Sequence, residues 1–441
     1  MKKMLLLLIS LLVLSACGYA DKENNSAGLV TNTVADGNAY ERKADEKKVD
    51  EKKETLVLGI YPTVSDQLRK PIFDFNMANT AYQIEIKEYE DANQLITDII
   101  ARKAPDIMML PPHFMLAAYA DKGVLADLNP LLDSDPLINR TDLQENILTA
   151  YETEGKLFGI PINYMIRTII AASSQYSDKD SWTLDEMMAI VNGQLQLPEV
   201  MVFYNHTKSA ILDLCLMNYI ERISGWDSGG VFDRDLYLKI LYFANQFTPD
   251  HLEKYEVIFD LIGDSRVHLY TSYIYNVYNI QTSRFMFGEP ITFLGYPAEQ
   301  GSGNIAISDA LMAINQNAVN QEAAWSFISS MLTEEYQTNV YVSYYLPIRK
   351  SALEENMTKG RKSGSHTWKG SDVVFESHIP REDEKQQLRD LIAGVNKTRN
   401  WDARIEDILR EEAQSFLNGF KSAEEAADIA ANRIAIFMNE F

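Results

Sequence analysis

Between Thr55 and Leu110 the sequence switches repeatedly between strand and helix periodicity, and this alternation constrains the fold more than any other feature. Thr55-Leu56-Val57-Leu58-Gly59-Ile60 is a continuous apolar run closed by the turn signal Tyr61-Pro62. Leu68, Ile72 and Phe75 recur at helical spacing around Pro71, so this helix either starts near Pro71 or bends there. Tyr82, Ile84 and Ile86 alternate with polar neighbours as a strand does. Leu95, Ile96, Ile99 and Ile100 mark a second helix, and Ile107-Met108-Met109-Leu110, stopped by Pro111-Pro112, a buried strand. Strands separated by helices pair in parallel, because each helix carries the chain back across the sheet. The expected fold is α/β.

The chain has 441 residues, two to three times a usual domain, so two lobes are expected. Hydrophobic residues make up 46%, enough to bury a sizeable core. The later chain is mainly helical in pattern, with Thr183 and Glu186 spaced as a capping box. Strands return at Ile291-Thr292-Phe293-Leu294-Gly295 and Asn304-Ile305-Ala306-Ile307. Two amphipathic helices close the chain. The first buries Ile405, Ile408, Leu409, Phe416 and Leu417 and stops at Gly419; the second starts at Ser422 with Glu425 as capping partner and buries Ala426, Ile429 and Phe437.

At the N-terminus, Lys2 and Lys3 precede the apolar run Met4–Leu14, too short for an ordinary membrane span and typical of a secretory leader. The run ends in Leu14-Ser15-Ala16-Cys17-Gly18, which resembles the lipobox of bacterial lipoproteins. The resemblance implies a signal peptide over 1–16, with Cys17 acylated (palmitate or a similar chain) as the new N-terminus. Each buried methylene of such an anchor contributes roughly 0.8 kcal/mol of membrane affinity. Residues 17–54 form the anchor and a charged tether ending in ERKADEKKVDEKKE, with a reach of about 30 Å. With Cys17 modified, Cys215 is alone and no internal disulfide can form. Cys215 sits in an apolar helical stretch and reads as a buried thiol.

Charge narrows the function. Lys plus Arg total 41 against 63 Asp plus Glu, a formal charge of -22, and loss of the leader removes only Lys2 and Lys3, leaving -24. Such a balance repels phosphate backbones and anionic bilayers, so no nucleic-acid partner is expected and the anchor alone supplies membrane affinity. The six His are scattered and form no zinc spacing, and no Walker-type loop occurs, so neither a metal nor another cofactor is expected. Gly301-Ser302-Gly303 half resembles a dinucleotide fingerprint but reads better as a turn between strands. A glycosidase carboxylate pair could be imagined anywhere among 63 acids and therefore carries no weight.

Several segments, taken in order, resemble the extracellular solute-binding proteins of ABC importers, in the subgroup (family 1) that includes sugar-binding lipoproteins. They are Phe75-Asn76 with Asn79, Tyr82–Tyr89, Ala104-Pro105-Asp106-Ile107, Lys122–Leu128, Gly155–Pro161, Trp182–Glu186, Phe243-Ala244-Asn245, Ala323–Ile328, Leu346–Lys350, and Glu411-Glu412 to Gly419 with Ser422–Ala427. Two segments depart from the pattern: Asn315-Gln316-Asn317 stands where a Ser-Lys-x-Lys-Glu turn is common, and Ile162-Asn163-Tyr164-Met165 replaces a Ser-rich segment.

The resemblance implies a two-lobe periplasmic-binding-protein-like α/β fold of type II, with the ligand in a cleft between lobes joined by hinge crossings. The crossings are expected near Pro161, Glu289-Pro290 and Leu346-Pro347. Lobe one would comprise 55–160 plus 290–345, and lobe two 161–289 plus 346–441. The implied protein is a monomer, not an enzyme, lipid-anchored on the extracellular side of the cell membrane. It would capture a sugar or oligosaccharide by lobe closure and deliver it to ABC permease subunits. The alternatives are a peptide or other non-sugar solute, or a lipid-anchored polysaccharide-degrading or sensory accessory protein.

Sugar recognition needs flat aromatic faces and a few planar polar groups, and in an open α/β sheet these lie beyond the carboxyl ends of strands. That selects Tyr61 after the first strand, His113 and Phe114 after the third, Asn163 and Tyr164 at the first crossing, and Trp226 with Asp227 after Gly225. Tyr273 and Tyr275 occupy the family position where a strand reaches the cleft. Tyr273, Trp226 and His113 lead this set.

Overall fold

The opening alternation folds as its periodicity requires. In the computed structural model, β1 (Glu54–Ile60) pairs in parallel with both β2 (Tyr82–Glu88) and β3 (Ile107–Leu110). The structure describes residues 53–440 apart from 61–64, 113, 115, 117–118, 120–121, 195–200, 205–206, 227–228, 251–260, 263–266, 339–344, 360–363, 368–372 and 400. The helix between β1 and β2 spans Ser65–Ala78 and runs through Pro71 rather than starting there. Its Asn76 amide clamps β2, donating to the Ile84 carbonyl at 3.0 Å and accepting from the Ile84 N–H at 2.7 Å. β2 is the edge strand, which leaves Ile86 42% exposed despite its alternating pattern.

Other segments of the family pattern are ties of the same kind. Asp106 accepts from the Val57 and Val319 N–H groups, both at 2.9 Å, and so joins β1 to a distant loop. Asp127 accepts from Asn129 and Leu157. The Trp182 indole donates to the Gly295 carbonyl at 2.9 Å, and the Trp325 indole to Asp135 at 2.7 Å. Asn315, in the segment that departs from the family, donates to the Ala104 carbonyl at 3.0 Å and closes its turn by accepting from Asn317. Gly59 is required by close approach: a Cβ there would lie 2.7 Å from the Pro105 ring and 2.9 Å from Tyr89.

Two short hairpin strands, β4 (Glu152–Thr153) and β5 (Lys156–Leu157), lead to β6 (Ile160–Pro161) and the long β7 (Asn163–Ala172). Then follow β8 (Met201–Phe203), β9 (Val267–Ile274), β10 (Ile291–Phe293), β11 (Ile305–Ile307), β12 (Leu311–Ile314) and β13 (Leu346–Pro347). The hairpin β14 (Gly364–Thr367) with β15 (Val374–Ser377) and the short β16 (Lys397–Thr398) complete the described strands. The first lobe is built on the sheet β2-β1-β3-β12-β6, the second on β16-β11-β7-β9-β8 with β10 and β13 also on β7. Helices cover both faces of the second sheet. Leu184–Gln194, Lys208–Leu216, Arg234–Ala244 and Ala403–Leu417 pack one core with Ile169 and Ala171; Val277–Phe287 and Glu382–Ala393 lie over Ile166 and Ile170 on the other side.

Strand pairing corrects the expected division of the chain. Ile291–Phe293 and Ile305–Ile307, expected in lobe one, are antiparallel partners of β7 in the second sheet. Glu289-Pro290 is therefore not a crossing: the Glu289 carboxylate accepts from Ser174, and the Pro290 carbonyl from Ser173, at the Ala172 end of β7. That end lies about 30 Å from Asn163, at roughly 3.4 Å per residue. The chain instead changes sheets at Ser308-Asp309-Ala310, between β11 and β12. Pro161-Ile162-Asn163 lies beside it, with the Ile162 N–H donating to the Ala310 carbonyl at 3.0 Å.

Both expected capping boxes form, between Thr183 and Glu186 and between Ser422 and Glu425. Of the terminal-helix residues expected in the core, Ile429 is 37% exposed; it turns off the buried stripe of Ala426, Ala430, Ile434 and Phe437. Gly301-Ser302-Gly303 is a turn, with Gly303 at φ 68° and too close to the Tyr296 carbonyl for a Cβ. No helix of the described residues is long and apolar enough to cross a membrane.

Candidate ligand cleft

Where the chain passes between the sheets, β7 begins and β9 ends. Alternation along β7 sends Tyr164, Ile166 and Ile170 into one core and turns Asn163, Met165 and Arg167 to the opposite face. Arg167 is paired across the strands with Tyr273, which is 37% exposed at the carboxyl end of β9. Its guanidinium lies 5.4 Å from the centre of the Tyr273 ring and 5.2 Å from that of Tyr296, and its Nε donates to the Tyr296 hydroxyl at 2.8 Å. Burial pushes the Tyr296 phenol up to about 12 against the pull of Arg167.

Tyr273 stacks on Tyr275 with ring centres 6.1 Å apart and planes 22° from parallel. Tyr275 in turn meets Tyr345 edge-on at 5.7 Å, just before β13. Tyr345 faces Asp309 in the crossing between β11 and β12. Burial raises the Asp309 carboxyl above its usual range, opposed by the nearby Tyr345 hydroxyl; burial and the Asp309 charge together push the Tyr345 phenol up to about 12. An aromatic run, an acceptor carboxylate and a donor guanidinium thus converge on the segments that connect the lobes. Flat ring faces suit the C–H side of a pyranose, and planar charged groups suit its hydroxyls.

The expected residues divide. Tyr273 and Tyr275 stand in this cluster. Asn163 is 4% exposed beside it, and its Oδ1 has no hydrogen-bond partner. Trp226 follows Gly225, whose φ of 78° ends a short helix, and packs half-buried against the cores of both lobes. Two residues belong to the core instead. Phe114 is 4% exposed and stacked on Tyr119 at 4.5 Å, because Pro111-Pro112 turns the chain back onto the first lobe. Tyr164 is fully buried on the inner face of β7, its hydroxyl unpartnered and its pKa raised by desolvation alone. Cys17, Tyr61, His113 and Asp227 lie outside the described residues. Cys215 is buried and its thiol pushed up by desolvation, an inert side chain.

Sequence reasoning missed Arg167, Asp309 and Tyr345. Arg167 had a signal, as a lone charge in the apolar run from Ile166 to Ala172. Asp309 and Tyr345 had none, because their meeting depends on which segments cross. On the other side of the lobe boundary, Arg404 at the start of the helix Ala403–Leu417 is held by the Asp402 carboxylate at 2.8 and 2.6 Å and faces the Tyr119 hydroxyl. Among the described residues no group of three or more His, Cys, Asp and Glu could hold a metal ion. A groove of about 660 Å³ beside Phe293, Asn304 and Gln387, and another of about 360 Å³ beside Asn146 and Arg389, lie apart from the aromatic cluster.

No curated protein matches this chain by sequence. Solved structures match its fold. A family 1 extracellular solute-binding protein from Alicyclobacillus acidocaldarius superposes with a TM-score of 0.55 at 13% identity, over 88% of this chain and 98% of its own. The sugar-binding protein MalE from Xanthomonas citri gives 0.56 at 15%, over 88% and 98%. An ABC transporter solute-binding protein from Thermotoga lettingae, described as bound with α-D-tagatose, gives 0.52 at 15%, over 88% and 100%. At such identities these likenesses speak for the two-lobe fold alone. The profile of one family, described as bacterial extracellular solute-binding protein, matches residues 72–363, and the chain belongs to that family.

Proposed function

We propose that this protein captures a carbohydrate between its lobes and hands it to the permease of an ABC importer, acting as a binding protein rather than an enzyme. The observation that carries the reading is the run Tyr273–Tyr275–Tyr345, flanked by Asp309 and Arg167, at the segments joining the two sheets. Similar folds whose descriptions name a sugar support it. The hinge would comprise Pro161–Asn163, Ser308–Ala310 and Tyr345–Pro347, and ligand touching both lobes would favour the closed form. Acylated Cys17 would hold the protein, as a monomer, on the outer face of the cell membrane, with residues 18–54 as the tether.

The test is thermal shift and titration calorimetry against mono- and oligosaccharides, with peptides as the opposing panel. A ligand at 100 times its dissociation constant stabilises by about 2.7 kcal/mol, a clear shift in melting temperature. Stabilisation by peptides alone would replace the carbohydrate reading.

A further inference from the structure

We infer that the solute carries a carboxylate, as a uronic-acid unit within a sugar or oligosaccharide, and that Arg167 is the group that binds it; this rests on the carbohydrate reading above. Among the described residues nine arginines are half-buried, and eight of them have a carboxylate oxygen within 4.0 Å. Arg167 is the ninth and has none. Withdrawing a guanidinium from water without a counter-charge is costly, so an arginine so placed calls for an anion from outside the chain.

The local geometry directs that anion. Tyr273 and Tyr296 lie near the guanidinium, the Tyr296 hydroxyl takes Nε, and Nη1 has only the Met217 sulfur, at 3.8 Å. Nη2 has no partner among the described residues. Asp213 is near enough to sense the charge, but its carboxylate is occupied by Arg410 at 2.8 Å. What remains is a planar edge, held in place and free to meet a carboxylate through paired N–H groups. Asn163 points the same way. It shares the Arg167 face of β7, is 4% exposed and leaves Oδ1 unpartnered, a place for a hydroxyl donor. One uronate ring supplies both a carboxylate and hydroxyls, with a C–H face for the exposed Tyr273.

Calorimetry with matched pairs tests this: oligogalacturonides and glucuronate-bearing xylo-oligosaccharides, each against its own methyl ester, which keeps the rings and linkages and removes the charge. The acid form should bind about tenfold or more tighter than the ester, as expected for a charge-assisted pair. Arg167→Gln should erase that preference, weakening the acid about tenfold or more beyond whatever it takes from the ester, and Arg167→Lys should restore part of it. Equal binding of acid and ester by the unaltered protein overturns the inference. So does an Arg167→Gln variant that loses both ligands alike, since Arg167 would then merely support Tyr273. Should the variant fail to fold, the acid-against-ester comparison on the unaltered protein still decides. Binding of neutral saccharides but no uronate defeats this inference alone, whereas silence from every saccharide defeats the carbohydrate reading with it.

Discussion

Tyr345 faces Asp309 closely enough for each to shift the other's protonation, and so the crossing that enters β13 meets the crossing between β11 and β12. The buried Tyr151 hydroxyl approaches the backbone of the adjacent Ser308. Side chains from separate parts of the chain thus meet at one short segment between the sheets, and Asp309 remains half-buried at the edge of the aromatic run.

This predicts opposite effects on stability and on binding. Burial raises the Asp309 carboxyl, so the native state holds its proton more tightly than the unfolded chain, and ionised Asp309 weakens the fold as pH rises through the interval between the two values. Asp309→Asn should leave the unliganded protein at least as stable at pH 7. A sugar hydroxyl bonds an ionised carboxylate more strongly than a neutral amide, so the variant should lose about 1–3 kcal/mol of affinity. The unaltered protein should likewise lose affinity on acidification, beginning above the pH at which an ordinary aspartate titrates. Calorimetry across pH 4–8 checks it; a flat profile and an unaffected variant would remove Asp309 from the site.

Tyrosines of the cleft and of the core should separate by simple truncation. Tyr273→Ala should cost roughly 1–3 kcal/mol of sugar affinity and little melting temperature. Tyr164→Phe removes a buried hydroxyl that has no partner, so it should stabilise by about 1 kcal/mol and leave binding alone. Phe114→Ala empties a packed site and should cost roughly 3–5 kcal/mol with or without ligand. Differential scanning calorimetry on the unliganded variants reads all three.

Tyr119 and Arg404 face each other from the two lobes, and the Asp402 carboxylate keeps the guanidinium in position. Tyr119→Phe should shift the unliganded protein toward open forms and raise its radius of gyration in small-angle scattering, with weaker ligand binding as the closed state loses a contact. Identical scattering curves for the two proteins would make this contact incidental to closure.

Cys17→Ser should yield an exported, folded protein released from membranes, since the lipid supplies membrane affinity and the folded body's cores are packed from residues 56 onward. Palmitate labelling and fractionation decide. A serine variant that stays labelled and sedimenting would count against the anchor.

What the sequence determined by itself was local chemistry. Period-two and helical spacing predicted β1 to β3 and the helices between them, the Ser/Thr-x-x-Glu pairs predicted capping boxes that form, and Asn76 and Asp106 carried the family likeness because their side chains hold neighbouring backbones together. These depend on residues a few positions apart, or on backbone groups with few alternatives. Tertiary structure alone decided the rest. Glu289-Pro290 read as a crossing because proline suits a hinge, yet β10 and β11 both pair with β7, so the chain changes sheets only at Ser308–Ala310. Phe114 and Tyr164 read as cleft residues because they follow strands, but the face each presents depends on where the chain turns and on strand register. Arg167, Asp309 and Tyr345 lie far apart in sequence and meet around one aromatic cluster only through the pairing of distant strands, an arrangement that no local period encodes.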